Sequence, residues 1–536
     1  MRKQRPGFTA LIALVVLLAV IVGAMVFVLL RYHIVDFKLY PKNVSVLDLT
    51  EKEISVGHYE KIRSVLPDCT IHWNVPFQGN VVENDTTHIT VTTLTAEDAL
   101  ALSYLPQLTK VDARECRDYN ALMYLRQLLP QVEVDYRVLI SGIYYGPETT
   151  EVKVDSITKE EILSMEYLPL LENVVACGGP EQSDYSQLRN YCKNTGKSFS
   201  VSIGGQKLAQ ETAAALTLEN AKEEEIYLLQ YVQRPESLHF LKPQAKPETL
   251  LALRQQYPNT AITWEVELAG ELYPDTTTEV DLSKMVIEDL AEVEQTMAYF
   301  PDAEMLILGL CGVDNPEWGN SKMDGKLAVS AIDNEEIAQY RDRVMDQYKV
   351  VWTIRLGPHI ALRTDADNFM PNHFGVGRLP DDYAHNLRYC IDMVCLDLGH
   401  MTVTHIDFVQ YMPKLKYLIL AWTNVKYIEP IRNCKELIFL ELDNSAIRDI
   451  SPLVDCTKLE DLNIGNAWPN VDGILTMTWL KNVYMIYGSL SDAWKISQAL
   501  PDTRVVTTGN ATVGGGWRRM QNYYDMRDML HAPYMN

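Results

Sequence analysis

A 22-residue period between Met393 and Leu475 constrains this chain more than any other feature. Framework positions recur as Met393, Leu396 and Leu398, then Leu415, Leu418 and Leu420, then Leu437, Leu440 and Leu442, then Leu459, Leu462 and Ile464. The spacing L-x-x-L-x-L predicts one short strand and one return segment per unit, and such a unit buries its apolar edge only when neighbours stack on it. The return segments keep the same phase. Val409, Ile431, Leu453 and Leu475 recur every 22 residues, with Pro430 and Pro452 turning the chain back.

A longer repeat precedes this one. Alternating apolar segments centred on Trp73, Tyr136, Val201, Trp264 and Trp352 read as half-buried strands, spaced 63, 65, 63 and 88 residues apart, so one interval carries an insertion. Helix-like runs precede them at 58–67, 119–130, 185–193, 247–258 and 334–347, and Pro67, Pro130 and Pro258 mark stops. A hairpin is expected after each strand, as in 266–282 with the turn at Pro274-Asp275. Second helices at 94–105 and 157–168 each open on a Thr-x-x-acid capping box, Thr95 with Asp98 and Thr158 with Glu161. Further strands are expected at 44–49, 108–113, 171–175 and 305–308. Separate α/β domains would need linkers, and no Gly/Ser-rich or Pro-rich segment supplies them, so one stacked array is the simpler reading.

The two ends differ from the repeats. Phe8 to Leu30 is an uncharged stretch of 23 residues, enough to cross a hydrocarbon core of about 30 Å. Arg2, Lys3 and Arg5 precede it and place the N-terminus in the cytoplasm by the positive-inside rule. A cleaved signal peptide would have an apolar region of only about 7–15 residues, so a retained anchor is expected. At the other end, Trp517, Met520, Tyr523, Tyr524, Met526 and Leu530 fit one helix face, read as a cap on the open end of the array.

Leu437 to Leu453 (LIFLELDNSAIRDISPL) resembles the internalin-type leucine-rich repeats of Gram-positive surface proteins, including the Asp449-Ile450-Ser451-Pro452-Leu453 turn. With its Trp517, Asn522-Tyr523-Tyr524 and Met526-Arg527-Asp528 tail, the anchored chain resembles the leucine-rich repeat surface proteins of gut Firmicutes. The resemblance implies a curved binding scaffold for protein or peptide partners and brings no catalytic residues. One departure is that the family's asparagine at the ninth repeat position is replaced by Thr423, Ser445 and Ala467.

The expected fold is therefore α/β, a leucine-rich-repeat-like solenoid with one N-terminal transmembrane helix. Its expected parts are a cytoplasmic tail (1–7), signal anchor (8–30), spacer (31–43), irregular α/β repeats of about 63 residues (44–385), leucine-rich repeats of 22 residues (386–500) and a C-terminal cap (501–536).

Chemistry is sparse. A net charge of −23 argues against nucleic acid, because phosphate neutralisation needs clustered Lys and Arg. Nine dispersed cysteines without a C-x-x-C pair make neither a disulfide framework nor a zinc site, although a disulfide between some pair stays open. Cys434 and Cys456, 22 residues apart, read as buried small apolar residues. No nucleophile elbow, zincin motif, P-loop or dinucleotide fingerprint occurs. Ser156-Ile157-Thr158-Lys159 matches S-x-x-K but coincides with a helix start, and His400 and His405 have neither helical nor strand metal spacing. No cofactor, metal or enzymatic activity is expected.

The candidate site is the concave face, formed by the x residues of L-x-x-L-x-L, which alternate away from the core. It comprises Asp397, His400, Tyr417, Trp422, Phe439, Glu441, Asp443 and Asp461, continued by Tyr484 and Tyr487. Aromatics flanked by carboxylates suit a basic or amphipathic partner: a protein, a peptide or an envelope polymer. Alternatively Tyr417 and Trp422 pack against the neighbouring module. The expected protein is a single-pass cell-membrane protein with its bulk outside the cytoplasm. Alternatives are an envelope-assembly scaffold that contacts copies of itself and an extracytoplasmic hydrolase.

Overall fold

The structure is a computed structural model and describes residues 6–179, 182–209, 214–312, 328–357, 360–371, 378–509 and 516–532. Arg2, Lys3 and Arg5, Gly514 and Gly515 lie outside the described residues. The chain divides into two compact units, Met1–Ser237 and Leu238–Asn536.

The first unit opens on the helix Pro6–Arg31, of which the span Leu11–Arg31 is long and apolar enough to cross a membrane and has none of its most apolar window buried. The expected spacer is structured. Tyr32–Val35 and Lys38–Pro41 pair antiparallel, because Asp36 and Phe37 both take left-handed backbone. His58 ties the hairpin down, bonding Asp36 through Nδ1 and Tyr40 through Nε2, each at 2.8 Å.

The 63-residue modules form small sheets with parallel strands, such as His88–Thr90, Lys110–Ala113 and Glu133–Tyr136, or Glu151–Val154, Asn173–Cys177 and Ser198–Ile203. The expected capping boxes are present: Thr158 Oγ1 accepts from the Glu161 N–H at 3.2 Å and the Glu161 carboxylate accepts from the Thr158 N–H at 2.8 Å. Thr95 and Asp98 do the same. Ser156-Ile157-Thr158-Lys159 is thus a helix start.

Four hairpins whose turns are described follow one rule. Their two-residue turns are Gln78-Gly79, Ser141-Gly142, Gly204-Gly205 and Ala269-Gly270, with both residues at positive φ in every case. This is the primed turn that matches strand twist. The turn expected at Pro274-Asp275 therefore lies five residues earlier, at Ala269-Gly270. Asp275 is instead buried, its carboxylate accepting from the Trp264 N–H at 3.3 Å and pairing with Arg254, whose guanidinium lies 3.9 Å from the Trp264 ring centre. The central aromatics of these strands lock one helix to the next. Trp264 Nε1 donates to the Tyr299 carbonyl, Trp352 Nε1 to Asn334 Oδ1 and the Tyr136 hydroxyl to the Tyr167 carbonyl, at 2.8–2.9 Å.

In the second unit one continuous core runs from Leu268 to Leu500. All twelve framework positions of the 22-residue units lie in it, at 0–1% exposure. Strands Asn368–Phe369, Cys395–Asp397, Tyr417–Ile419, Phe439–Glu441, Asp461–Asn463, Asn482–Tyr484 and Arg504–Val506 form one seven-stranded parallel sheet. Leu396, Leu418, Leu440, Leu462, Val483 and Val505 stand in register across six of them. Single-turn 3-10 helices carry the chain back at Asp407–Tyr411, Glu429–Asn433, Ser451–Asp455 and Val471–Ile474, with Pro430 and Pro452 at their starts. The last unit is one residue shorter, so Ile474 rather than Leu475 takes the fully buried place. Thr423, standing where the resemblance has asparagine, donates to the Leu420 carbonyl at 2.7 Å and caps its own turn.

Leu440→Ala should lower unfolding free energy by about 2–5 kcal/mol in a denaturant titration, as a buried truncation in a packed column does. Gly270→Ala should cost about 1–2 kcal/mol by the same measurement, because a Cβ there meets open space and only the backbone at φ +82° opposes it.

Candidate functional site

Side chains alternate along each strand, so while Leu418, Leu440 and Leu462 enter the core, their neighbours line the opposite face. One column is Cys395, Tyr417, Phe439, Asp461 and Asn482, and the next is Asp397, Ile419, Glu441, Asn463 and Tyr484. A third, where the strands end, holds Ala421 and Asp443. The residues expected to bind a partner are thus brought together on one face.

That face is not open. Residues 516–532 lie on it: Trp517, Tyr523, Met526, Leu530 and Ala532 form one buried cluster with Met370, Cys395, Tyr417, Ile419, Ala421, Phe439 and Tyr484. The helix Gln521–Met529, expected to close the end of the stack, instead covers the face. Seven of the ten expected site residues, Asp397, Tyr417, Phe439, Glu441, Asp443, Asp461 and Tyr484, are buried or partly buried as a result. Tyr417 packs both against this segment and against Phe439 of the next repeat, with ring centroids 6.4 Å apart.

The covering contacts are specific. The Trp517 indole stacks on Phe439 with centroids 4.5 Å apart, meets Tyr484 edge-on at 5.1 Å, and donates Nε1–H to Glu441 Oε2 at 2.8 Å in a fully enclosed site. Asp461 accepts from Asn482 at 2.8 Å and from Asn522 at 2.7 Å. Arg527, 4% exposed, reaches Met370 Sδ at 3.7 Å. Enclosure has an electrostatic cost. Burial pushes the Glu441 carboxyl up to about 7, only partly offset by the Trp517 bond and the Arg518 charge. Burial likewise raises Asp397, against the Gly399 N–H and the Arg527 and Arg518 charges, and raises Asp443 and Asp461.

The other three expected residues stand at the rim. His400, Trp422 and Tyr487 sit just past the strand ends, in line with Asn444 and Asn466, and all five have left-handed backbone. Successive members are joined across the repeats by His400 N–H to Ala421 O, Trp422 N–H to Asp443 O, Asn444 N–H to Gly465 O and Asn466 N–H to Ile486 O, at 2.8–3.0 Å. The His400 and Trp422 rings stack with centroids 5.7 Å apart and planes 19° from parallel, while Trp422 and Tyr487 are 54% and 57% exposed. Asn466 donates to Asn444 Oδ1 at 2.6 Å. Trp468, also left-handed and 55% exposed, adds an indole that the L-x-x-L-x-L register did not select.

Among the described residues no group of three His, Cys, Asp or Glu side chains is placed to hold a metal ion. His405 faces Asp381 at 3.4 Å, away from His400 and its Trp422 partner. All nine cysteines are free.

No protein-family model matches the chain, and no curated protein does. Among solved structures, an internalin (inlF) from Listeria monocytogenes is similar over 85% of this chain and 96% of its own, at 12% identity and a TM-score of 0.23. A leucine-rich repeat protein of Leptospira interrogans matches 77% of this chain and 93% of its own, at 14% identity and a TM-score of 0.23. The TLR13–ssRNA13 complex matches 83% of this chain and 71% of its own, at 13% identity and a TM-score of 0.20. Scores this low carry no weight for architecture. The 22-residue units are leucine-rich repeats on their own spacing and strand register.

Glu441 titrates near 7 when folded and near 4.5 when free, so its share of stability is intact below pH 4.5, is lost as pH rises to 7, and stays lost above. At full weight that loss is about 3 kcal/mol. Glu441→Gln keeps an acceptor for Trp517 and cannot ionise. Chemical denaturation between pH 4.5 and 8 should therefore give a flatter stability profile for the variant and higher stability than the parent above pH 7.

Proposed function

We propose that this chain is a non-enzymatic recognition protein, tethered by Phe8–Leu30 to the cell membrane with its N-terminus in the cytoplasm, whose extracytoplasmic leucine-rich solenoid binds a protein, peptide or envelope polymer. The row His400, Trp422 and Tyr487 supports this reading most. Left-handed backbone costs an ordinary L-residue about 1–2 kcal/mol, while asparagine tolerates it. Asn444 and Asn466 show the inexpensive solution in the same row. Trp422 and Tyr487 are large rings placed where backbone strain disfavours them and left more than half exposed, Trp422 with one face on His400. Their value lies in what they present: flat apolar surface with a polar edge, the kind of side chain that dominates binding energy at interfaces. The stretch Leu11–Arg31, long enough to span and unburied, supports the tether.

The test is to replace His400, Trp422 and Tyr487 together by asparagine, which the backbone accepts. The thermal midpoint should hold or rise, and capture of partners from envelope extracts should fall at least tenfold. Capture equal to that of the parent would overturn the assignment of this row.

A further inference from the structure

We propose that the sheet face under residues 516–532 is itself a peptide groove, whose ligand class is a basic amphipathic helix led by an indole, and that the tail is its resident occupant. This concerns a different surface from the exposed row at 400, 422 and 487, so either assignment can fail without the other.

Three observations carry the inference. The first is the composition of the covered face. A permanent second core is most cheaply lined with apolar residues, as the Leu396, Leu418, Leu440 and Leu462 side is. The covered side instead holds the carboxyls of Asp397, Glu441, Asp443 and Asp461. Such a surface is comfortable in water and attractive to a cation when uncovered, and is costly to bury permanently.

The second is the binding mode. The tail docks as helical ligands do in grooves, with Tyr523, Met526 and Leu530 at i, i+3 and i+7, and with Trp517 as an aromatic anchor ahead of them. Arg518 and Arg527 bring positive charge toward Asp397 and Arg518 toward Glu441 and Asp443. Anchor, apolar stripe and charge together define what the groove accepts.

The third is an imperfection in the fit. The Tyr484 hydroxyl is buried, with Gly516 close to it, and has no hydrogen-bond partner among the described residues. An occupant shaped only for cover would be expected to satisfy or avoid it, since a buried hydroxyl left unpaired is unfavourable. A ligand with a polar group opposite Tyr484 would fit better than the tail does. Covalent continuity explains how a poorer ligand holds the groove: a segment of the same chain sits at an effective concentration on the order of millimolar.

The experiment uses the full chain with a protease site inserted after Ala511, folded and then cut, and a fluorescent peptide of residues 516–532 as probe. The cut chain should exchange its tail for the peptide saturably, by anisotropy. The uncut chain should bind it at least 100-fold more weakly, and a Trp517→Ala peptide should lose about 30-fold, as loss of an interface anchor does. Exchange with retained β-sheet circular dichroism supports the groove. Loss of the β signal as the tail leaves, or no exchange under native conditions, makes the tail part of an obligate core and overturns the proposal. Dimers of the uncut chain that trade tails would make a second copy the occupant, and would overturn it as well.

Discussion

A parallel sheet presents two layers of side chains, because its strands exchange their backbone hydrogen bonds sideways, and in most proteins both layers find cover. The 22-residue repeat solves half of this problem by itself. Its framework leucines and return segments close one face without help from elsewhere. The other face has no such internal solution, and the protein covers it with a segment that lies 76 residues beyond Glu441 in the chain and meets it through a single indole hydrogen bond. Much of the site's character follows from this arrangement: the burial of the aromatics, the raised carboxyls, and the division between a covered floor and an exposed rim.

What could be read from the sequence was whatever repeats. The 22-residue leucines, the 63-residue strands and their preceding helices, and the Thr95 and Thr158 capping boxes are local patterns, and local patterns report local structure. Taken alone, Pro274-Asp275 is a strong turn dipeptide, yet it is not the turn of this hairpin. The better signal was periodic, since Gly79, Gly142, Gly205 and Gly270 recur at 63, 63 and 65 residues. The hairpin within 31–43 carries no such signal, because Asp36-Phe37 is an unusual pair for a primed turn.

The candidate site was legible as a set of residues but not as a surface. Strand alternation correctly put Tyr417, Phe439, Glu441, Asp461 and Tyr484 on one face. Nothing local says what covers that face. The tail's aromatic stripe shows that it packs against something, and periodicity alone is consistent with either the end of the stack or its face. The rim residues are in the expected set, but their place in the fold is not readable from alternation. Side-chain alternation describes strands, whereas His400, Trp422 and Tyr487 lie beyond the strand ends in left-handed backbone, a state that sequence signals mainly through asparagine and glycine.

The cysteines of the repeats lead in another direction. Cys434 and Cys456 sit one above the other in successive turns, their thiols directed at the Val409 and Ile431 carbonyls at 3.5 and 3.4 Å, and burial pushes each up to about 12. At neutral pH such a thiol is ionised about once in 10⁵ molecules, and the thiolate is the form that oxidants and disulfides attack. These two thiols are therefore poor redox targets. Neither position is expected to gain or lose a covalent bond between a reducing and an oxidising compartment, and each holds its turn by burial and by its carbonyl contact.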